Sequence, residues 1–191
     1  MSFVLKAQQV ARRDLSTAAS MGVVTANPSA ALALFPADAR AGRIEDAAQH
    51  IVEVMPPTAR AAGADAVMLL VVQSVVDQTK RQEAARALRE LAQKHPINAL
   101  DRGFGTLLMV LHAMVGDLES AFAAANHAAD EYGKLGAVGT SWPGLWIPEM
   151  RSFRQDPRFQ QLAVRLRLFD YWQVHGPPDN CSLVGERIAC R

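Results

Sequence analysis

The chain has almost no net charge, few aromatic residues, two cysteines and no long apolar run, and each scarcity removes a class of protein. Lys and Arg number 20 against 19 Asp and Glu, a formal net charge of +1 over 191 residues. No bulk field therefore draws it to nucleic acid or to an anionic membrane, and direct nucleic-acid binding is not expected without a local basic patch. Aromatic residues make up 6% while alanine is abundant, which suits close helix packing rather than a β-sandwich built from β-branched and aromatic strands. The longest unbroken apolar run, Ala66-Val67-Met68-Leu69-Leu70-Val71-Val72, is far below the roughly 18 residues of a transmembrane helix and reads as a buried core helix. At the N-terminus, Phe3-Val4-Leu5 is interrupted at once by Lys6, so no signal-peptide core follows. If the protein is exported or tethered, the signal or anchor is expected upstream, in a longer parent. What the chain does have is 50% hydrophobic residues, enough for one domain with a continuous core.

Enzyme signatures are also scarce. There is no Walker loop, no metalloprotease helix with paired histidines and no nucleophile elbow. Gly103-Phe104-Gly105 begins like a dinucleotide loop but runs on as Thr106-Leu107-Leu108, without a third glycine or a preceding strand. His50, His95, His112, His127 and His175 are scattered, as expected of core or surface histidines rather than bases or ligands. Glu45-Asp46, Glu119 and Asp130-Glu131 fall on the polar faces of helices and read as solvated. No catalytic residue, metal or cofactor is assigned.

Self-similarity organises the chain. Gly42-Arg43-Ile44-Glu45-Asp46-Ala47-Ala48 and Gly116-Asp117-Leu118-Glu119-Ser120-Ala121-Phe122 share the order Gly, polar, aliphatic, Glu, polar, Ala, and Thr79-Lys80-Arg81-Gln82-Glu83-Ala84-Ala85 lies between them. Ala47, Ala84 and Ala121 are spaced 37 residues apart. In that register Leu34, Val71 and Leu108 coincide upstream, and Ile51, Leu88 and Ala125 coincide downstream. Both columns are apolar, so each unit reads as a first helix, a tight turn and a second helix whose alanine face allows close approach. Hairpins are expected near residues 29–54, 65–94 and 101–130, with the middle one running Asp65–Asp77 and Arg81–Lys94 before Pro96.

These residues resemble the tetratricopeptide repeat, whose second helix opens with a Gly, polar, aromatic, polar, acidic, Ala pattern and whose unit ends near a proline; Pro96 stands at that place. The resemblance covers roughly Pro28 to Leu135. The period of 37 exceeds the usual 34, Phe35, Val72 and Met109 replace the family's small residue in the first helix, and Thr79 replaces the turn glycine of the middle unit. The resemblance implies an all-α fold, a right-handed stack of hairpins.

The stretch from Leu145-Trp146-Ile147-Pro148 through Asp156-Pro157-Arg158-Phe159 to Leu168-Phe169-Asp170-Tyr171-Trp172, closing on Pro178-Asp179-Asn180-Cys181, resembles the tail of bacterial tetratricopeptide regulators. In those proteins the repeats follow a winged-helix or cyclase-like domain, often across a membrane helix. Arg167 stands where that family usually has glycine, and Asn180 where it has an aromatic residue. The resemblance implies that this chain is the sensor or interaction part of such a regulator. Independently of it, Asp156-Pro157 is a helix start, since the carboxylate caps free amides and proline is tolerated in the first turn. Phe159, Leu162, Ala163, Leu166 and Phe169 recur on one face and are expected to cap the stack.

The expected organisation is therefore an N-terminal helix and linker over 1–27, three hairpins over 28–135, and a C-terminal helical cap with an irregular tail over 136–191. The expected activity is non-catalytic binding of a protein or peptide along a groove lined by Asp38, Arg40, Gln73, Asp77 and Thr106. Trp146, Tyr171 and Trp172 form an alternative aromatic surface, although such residues in a cap are more often packing. A helical enzyme with an unrecognised site is the rival class. Cys181 and Cys190, the only cysteines, either form a disulfide that fastens the tail, which points to the periplasm, or remain free thiols in a cytoplasmic protein. Two cysteines without a matched histidine pair make an incomplete metal shell.

Overall fold

A computed structural model describes residues 28–95, 104–134, 142–185 and 187–190. The expected N-terminal helix over 1–27 and Pro96 lie outside the described residues. Those described are mostly helical, with one small antiparallel sheet. The chain divides into two compact units, Met1–Pro96 and Ile97–Arg191. The boundary falls within the segment read as three hairpins, so two hairpins belong to the first unit and one to the second.

In the first unit, α1 (Pro28–Arg40) turns into α2 (Ile44–Glu53), a short helix α3 (Pro57–Ala61) follows, and α4 (Ala64–Val76) pairs with α5 (Arg81–Lys94). Helix α4 also packs on both α1 and α2. The apolar spacing is what brings them together: α2 buries Ala47, Ala48, Ile51 and Val52, and α5 buries Ala84, Ala85, Leu88 and Leu91, each one stripe of a helix whose other face is polar. Burying a side chain such as Ile51 or Leu88 stabilises the fold by about 1.5–3 kcal/mol.

In the second unit, α6 (Phe104–Met114) pairs with α7 (Leu118–Lys134). Phe104-Gly105, which opened the apparent dinucleotide loop, is buried in the first turn of α6, and Leu107 to Ala113 are buried without interruption. A helix apolar on every side is a central one; α6 is covered by α7 and by the 3₁₀ turns Pro143–Trp146 and Pro148–Met150. The cap follows as α8 (Arg151–Gln155), α9 (Arg158–Arg165) and α10 (Leu168–His175). Phe159, Leu162, Ala163 and Leu166 are buried as their spacing predicts, whereas Phe169 is only half-buried. Asp156 Oδ1 accepts from Arg158 N at 2.9 Å, so the expected cap at the start of α9 is present.

The tail is not irregular. It forms a β-hairpin, β1 (Cys181–Val184) against β2 (Arg187–Cys190), with Cys181 opposite Cys190 and Val184 opposite Arg187. The missed signal is Leu183-Val184-Gly185-Glu186-Arg187-Ile188, a Gly-X dipeptide between alternating residues. Gly185 has φ 61°, a conformation that costs an L side chain energy and suits glycine.

The 37-residue register is carried into the packing. Ala47, Ala84 and Ala121 are all fully buried, and so are Leu34, Val71 and Leu108 and the column Ile51, Leu88 and Ala125. Phe35, Val72 and Met109, each next to the column Leu34, Val71 and Leu108, are buried as well.

Candidate functional site

The turn between α1 and α2 gathers a cluster of polar side chains. Gly42, at φ 81°, lets the chain reverse, with Gly42 N bonded to Ala39 O at 3.0 Å and Arg43 N to Asp38 O at 2.9 Å. This is a Schellman end, in which the residue after the glycine reaches back to close the last turn. It swings Arg43 beneath α1, where Nε donates to Asp38 Oδ1 at 3.2 Å and Nη2 to the same oxygen. His50, two turns further along α2, brings Nε2 to 3.4 Å from Asp38 Oδ2. Asp38 is 3% exposed, so its carboxylate is taken out of water with a guanidinium and an imidazole against it. Removing it leaves those groups without their acceptor.

Above this cluster lies an open depression of about 330 Å³ lined by Asp38, Arg43, Asp46, Gln49, His50 and Glu53. Its rim is the polar face of α2, where Gln49 Nε2 donates to Glu53 Oε1 at 3.1 Å. Three carboxylates against one guanidinium and one imidazole make the lining acidic. Arg43 was not read as a site residue and His50 was read as a core or surface histidine; the Asp-to-Arg spacing across a glycine turn is a signal for Arg43, and none marks His50.

The groove residues are placed as follows. Asp38 is a buried anchor of the turn and forms the floor of the depression over α2. Arg40 is exposed at the end of α1, and Thr106 is half-buried in the second unit. Gln73 and Asp77, read as groove-lining, are half-buried and engaged locally. Gln73 Oε1 accepts from Lys80 Nζ at 2.6 Å, and Asp77 Oδ1 accepts from Thr79 N at 3.0 Å and from Thr79 Oγ1 at 2.6 Å. These bonds close the turn that lacks a glycine. The Thr79 hydroxyl and amide hold the Asp77 carboxyl below its ordinary range.

Of the aromatic group, Trp172 is buried and meets the half-buried Trp146 edge-on at 5.7 Å between ring centroids, so the pair is a cap contact. Tyr171 is 58% exposed and lies beside His175, at 4.4 Å. Cys181 and Cys190 are joined as a disulfide. The carboxylates read as solvated are partly engaged: Glu119 accepts from Arg158 Nη1 at 2.7 Å, and Asp130 from Arg165 Nη2. Arg158 also lies 4.4 Å from the Phe122 ring, and Phe122 stacks on Phe153 at 4.1 Å. Together these contacts bind α8 and α9 to α7. Among the described residues no group of three or more His, Cys, Asp or Glu is placed to hold a metal, and no helix is long and apolar enough to cross a membrane.

Comparison with protein-family models, with curated proteins and with solved structures produced no match.

Proposed function

We propose that this chain is a non-catalytic module that binds a protein or peptide, built from tetratricopeptide-like hairpins in a right-handed stack, and that it is the sensor or interaction part of a bacterial regulator working in the periplasm. The observation that carries the reading is the register: residues 37 apart are buried alike in three successive hairpins. Repeats of this kind use their exposed helix faces for extended partners. The disulfide supports an oxidising compartment. Within the first unit the depression over α2 offers acidic, accessible groups to a partner, with Asp46 and Glu53 exposed at its rim.

The test begins with crosslinking and capture in the native organism, followed by calorimetry with the purified partner. Asp46→Lys with Glu53→Lys is expected to weaken binding about ten-fold or more, since reversed charges at an interface are repelled. Circular dichroism should remain unchanged because both side chains are at the surface. Unchanged affinity in this variant, with loss of binding in Trp146→Ala, would transfer the interaction site to the cap.

A further inference from the structure

We propose that the C-terminal hairpin is a redox-released strap, held in place by the Cys181–Cys190 bond and freed from the helices when that bond is reduced. The inference is separate from the binding role and rests on three features of the second unit.

The first is the position of the crosslink. It joins the pair at the open end of the hairpin, opposite the Gly185 turn, with a sequence separation of 9. Both ends of the ladder are therefore closed, one by the turn and one by sulfur. The second is the weakness of everything else in the hairpin. Each strand has four residues, and none of the described residues in either strand is buried. A two-stranded hairpin with no core is marginal in water at best, so the covalent bond is what restricts the open chain. Gly176, at φ 81°, ends α10, and Pro177-Pro178 cannot extend it.

The third feature is the attachment. The alternation turns Cys181, Leu183, Ile188 and Cys190 to the half-buried side and Ser182, Val184, Arg187 and Ala189 outward. Strand β2 lies against α8, and Ile188 N donates to Gln160 Oε1 of α9 at 2.8 Å. The helices beneath are fastened separately, by the Phe122–Phe153 stack, by Phe153 against Phe159 and by the Arg158 and Arg165 ion pairs to α7. Release of the strap thus leaves the helical part standing and changes only the surface around Gln160 and the Leu183–Ile188 pair.

The reductant is a dithiol. One of its thiolates attacks a sulfur of the pair, breaking the S–S bond and forming a mixed disulfide while the other cysteine leaves as a thiolate and takes a proton. The second thiolate of the dithiol then attacks the mixed disulfide, releasing the remaining cysteine as a thiol. Two electrons pass to Cys181 and Cys190, and the dithiol becomes a disulfide.

Hydrogen exchange followed by mass spectrometry on the full chain tests this, oxidised and with excess dithiothreitol at one pH, alongside the Cys181→Ser/Cys190→Ser variant. Amides in 181–190 are expected to exchange about ten-fold faster or more in the reduced protein and in the double variant, with α7 and α9 unchanged, because local opening is set by local contacts. In oxidised Gln160→Ala only the Ile188 amide should accelerate. Equal protection of the hairpin after reduction would overturn the proposal, as would loss of protection across α6 and α7, opening of the whole hairpin in oxidised Gln160→Ala, or two free thiols in air-oxidised protein.

Discussion

Asp38 and His112, 74 residues apart, take the same place in two hairpins: each is buried in the last turn of a first helix, and its carbonyl accepts the amide five residues on, Arg43 N and Asp117 N, both at 2.9 Å. The side chains of those same partners meet as well, but with the carboxylate on the other side of the turn. Asp38 faces Arg43, whereas His112 Nδ1 lies 3.5 Å from Asp117 Oδ2. Asp117 Oδ1 in addition accepts from Ser120 N at 3.2 Å and caps α7. Arg43 cannot cap α2 in this way. The geometry of the turn is shared, and the polarity of the pair across it is not.

That relationship predicts a rescue. Arg43→Asp alone places two carboxylates together across the turn and should be destabilising, while Asp38→His/Arg43→Asp reproduces the pair of the third hairpin. In urea unfolding the double variant is expected to recover about 0.5–2 kcal/mol over the sum of the single changes, as groups in direct contact couple by amounts of this order. Strict additivity would show that the pair contributes nothing across the turn.

The turns give a second prediction: opposite substitutions at equivalent positions, 37 residues apart, both destabilise. Gly116 has φ 84° and nothing within 4 Å of an added Cβ, so Gly116→Ala is strained by the backbone alone and should cost about 1–2 kcal/mol. Thr79 stands at the position equivalent to Gly42 and Gly116, but its turn is a 3₁₀ helix, Gln78–Lys80, closed by Asp77. Thr79→Gly places glycine there, as in the other two turns, and is nevertheless expected to destabilise by about 1 kcal/mol, through the lost hydroxyl bond and the added backbone freedom. A stabilised Thr79→Gly protein would mean that the middle turn is a strained substitute.

Arg154 supplies a third. It is 5% exposed, and its Nη1 donates to the carbonyls of Leu145 and Ile147, the latter at 3.0 Å, tying α8 to the segment before it. Arg154→Met keeps much of the bulk but leaves both carbonyls without that donor. The loss should be about 1–3 kcal/mol, or several degrees in Tm for a unit of this size. Melting unchanged within a degree would show that water replaces the guanidinium at no cost.

A fourth concerns acid. The Arg158 side chain and amide hold the Asp156 carboxyl below its ordinary range, as Thr79 does for Asp77. A carboxyl depressed in the folded state binds fewer protons there than in the unfolded chain. Its contribution is fully present above the unfolded value near about 3.9 and is lost as pH falls through the folded one. Tm should therefore be insensitive to these two groups above about pH 5 and decline below about pH 4. In Asp156→Asn the acid limb should be shallower than in the wild type; an identical limb would remove Asp156 from the account.

The sequence by itself determined the helices and their buried columns. A helix that covers a core must repeat its apolar residues every three or four positions, so Ala84, Leu88 and Leu91 and their counterparts 37 residues away were legible, as was the Asp156-Pro157 start of α9. The tertiary structure alone decided what lies opposite. Asp38 and Gln73 are polar residues on helices, and nothing in their neighbours along the chain says that one is buried against Arg43 and His50 while the other accepts from Lys80. The tail was misread for a related reason: a hairpin with no buried residue among those described leaves only a weak period-two pattern, and its place is fixed by the contact with Gln160 and by the partner cysteine, which no periodicity records. Periodicity records which face of an element is apolar. The partner a polar group finds depends on contacts between elements, which no spacing within one element encodes.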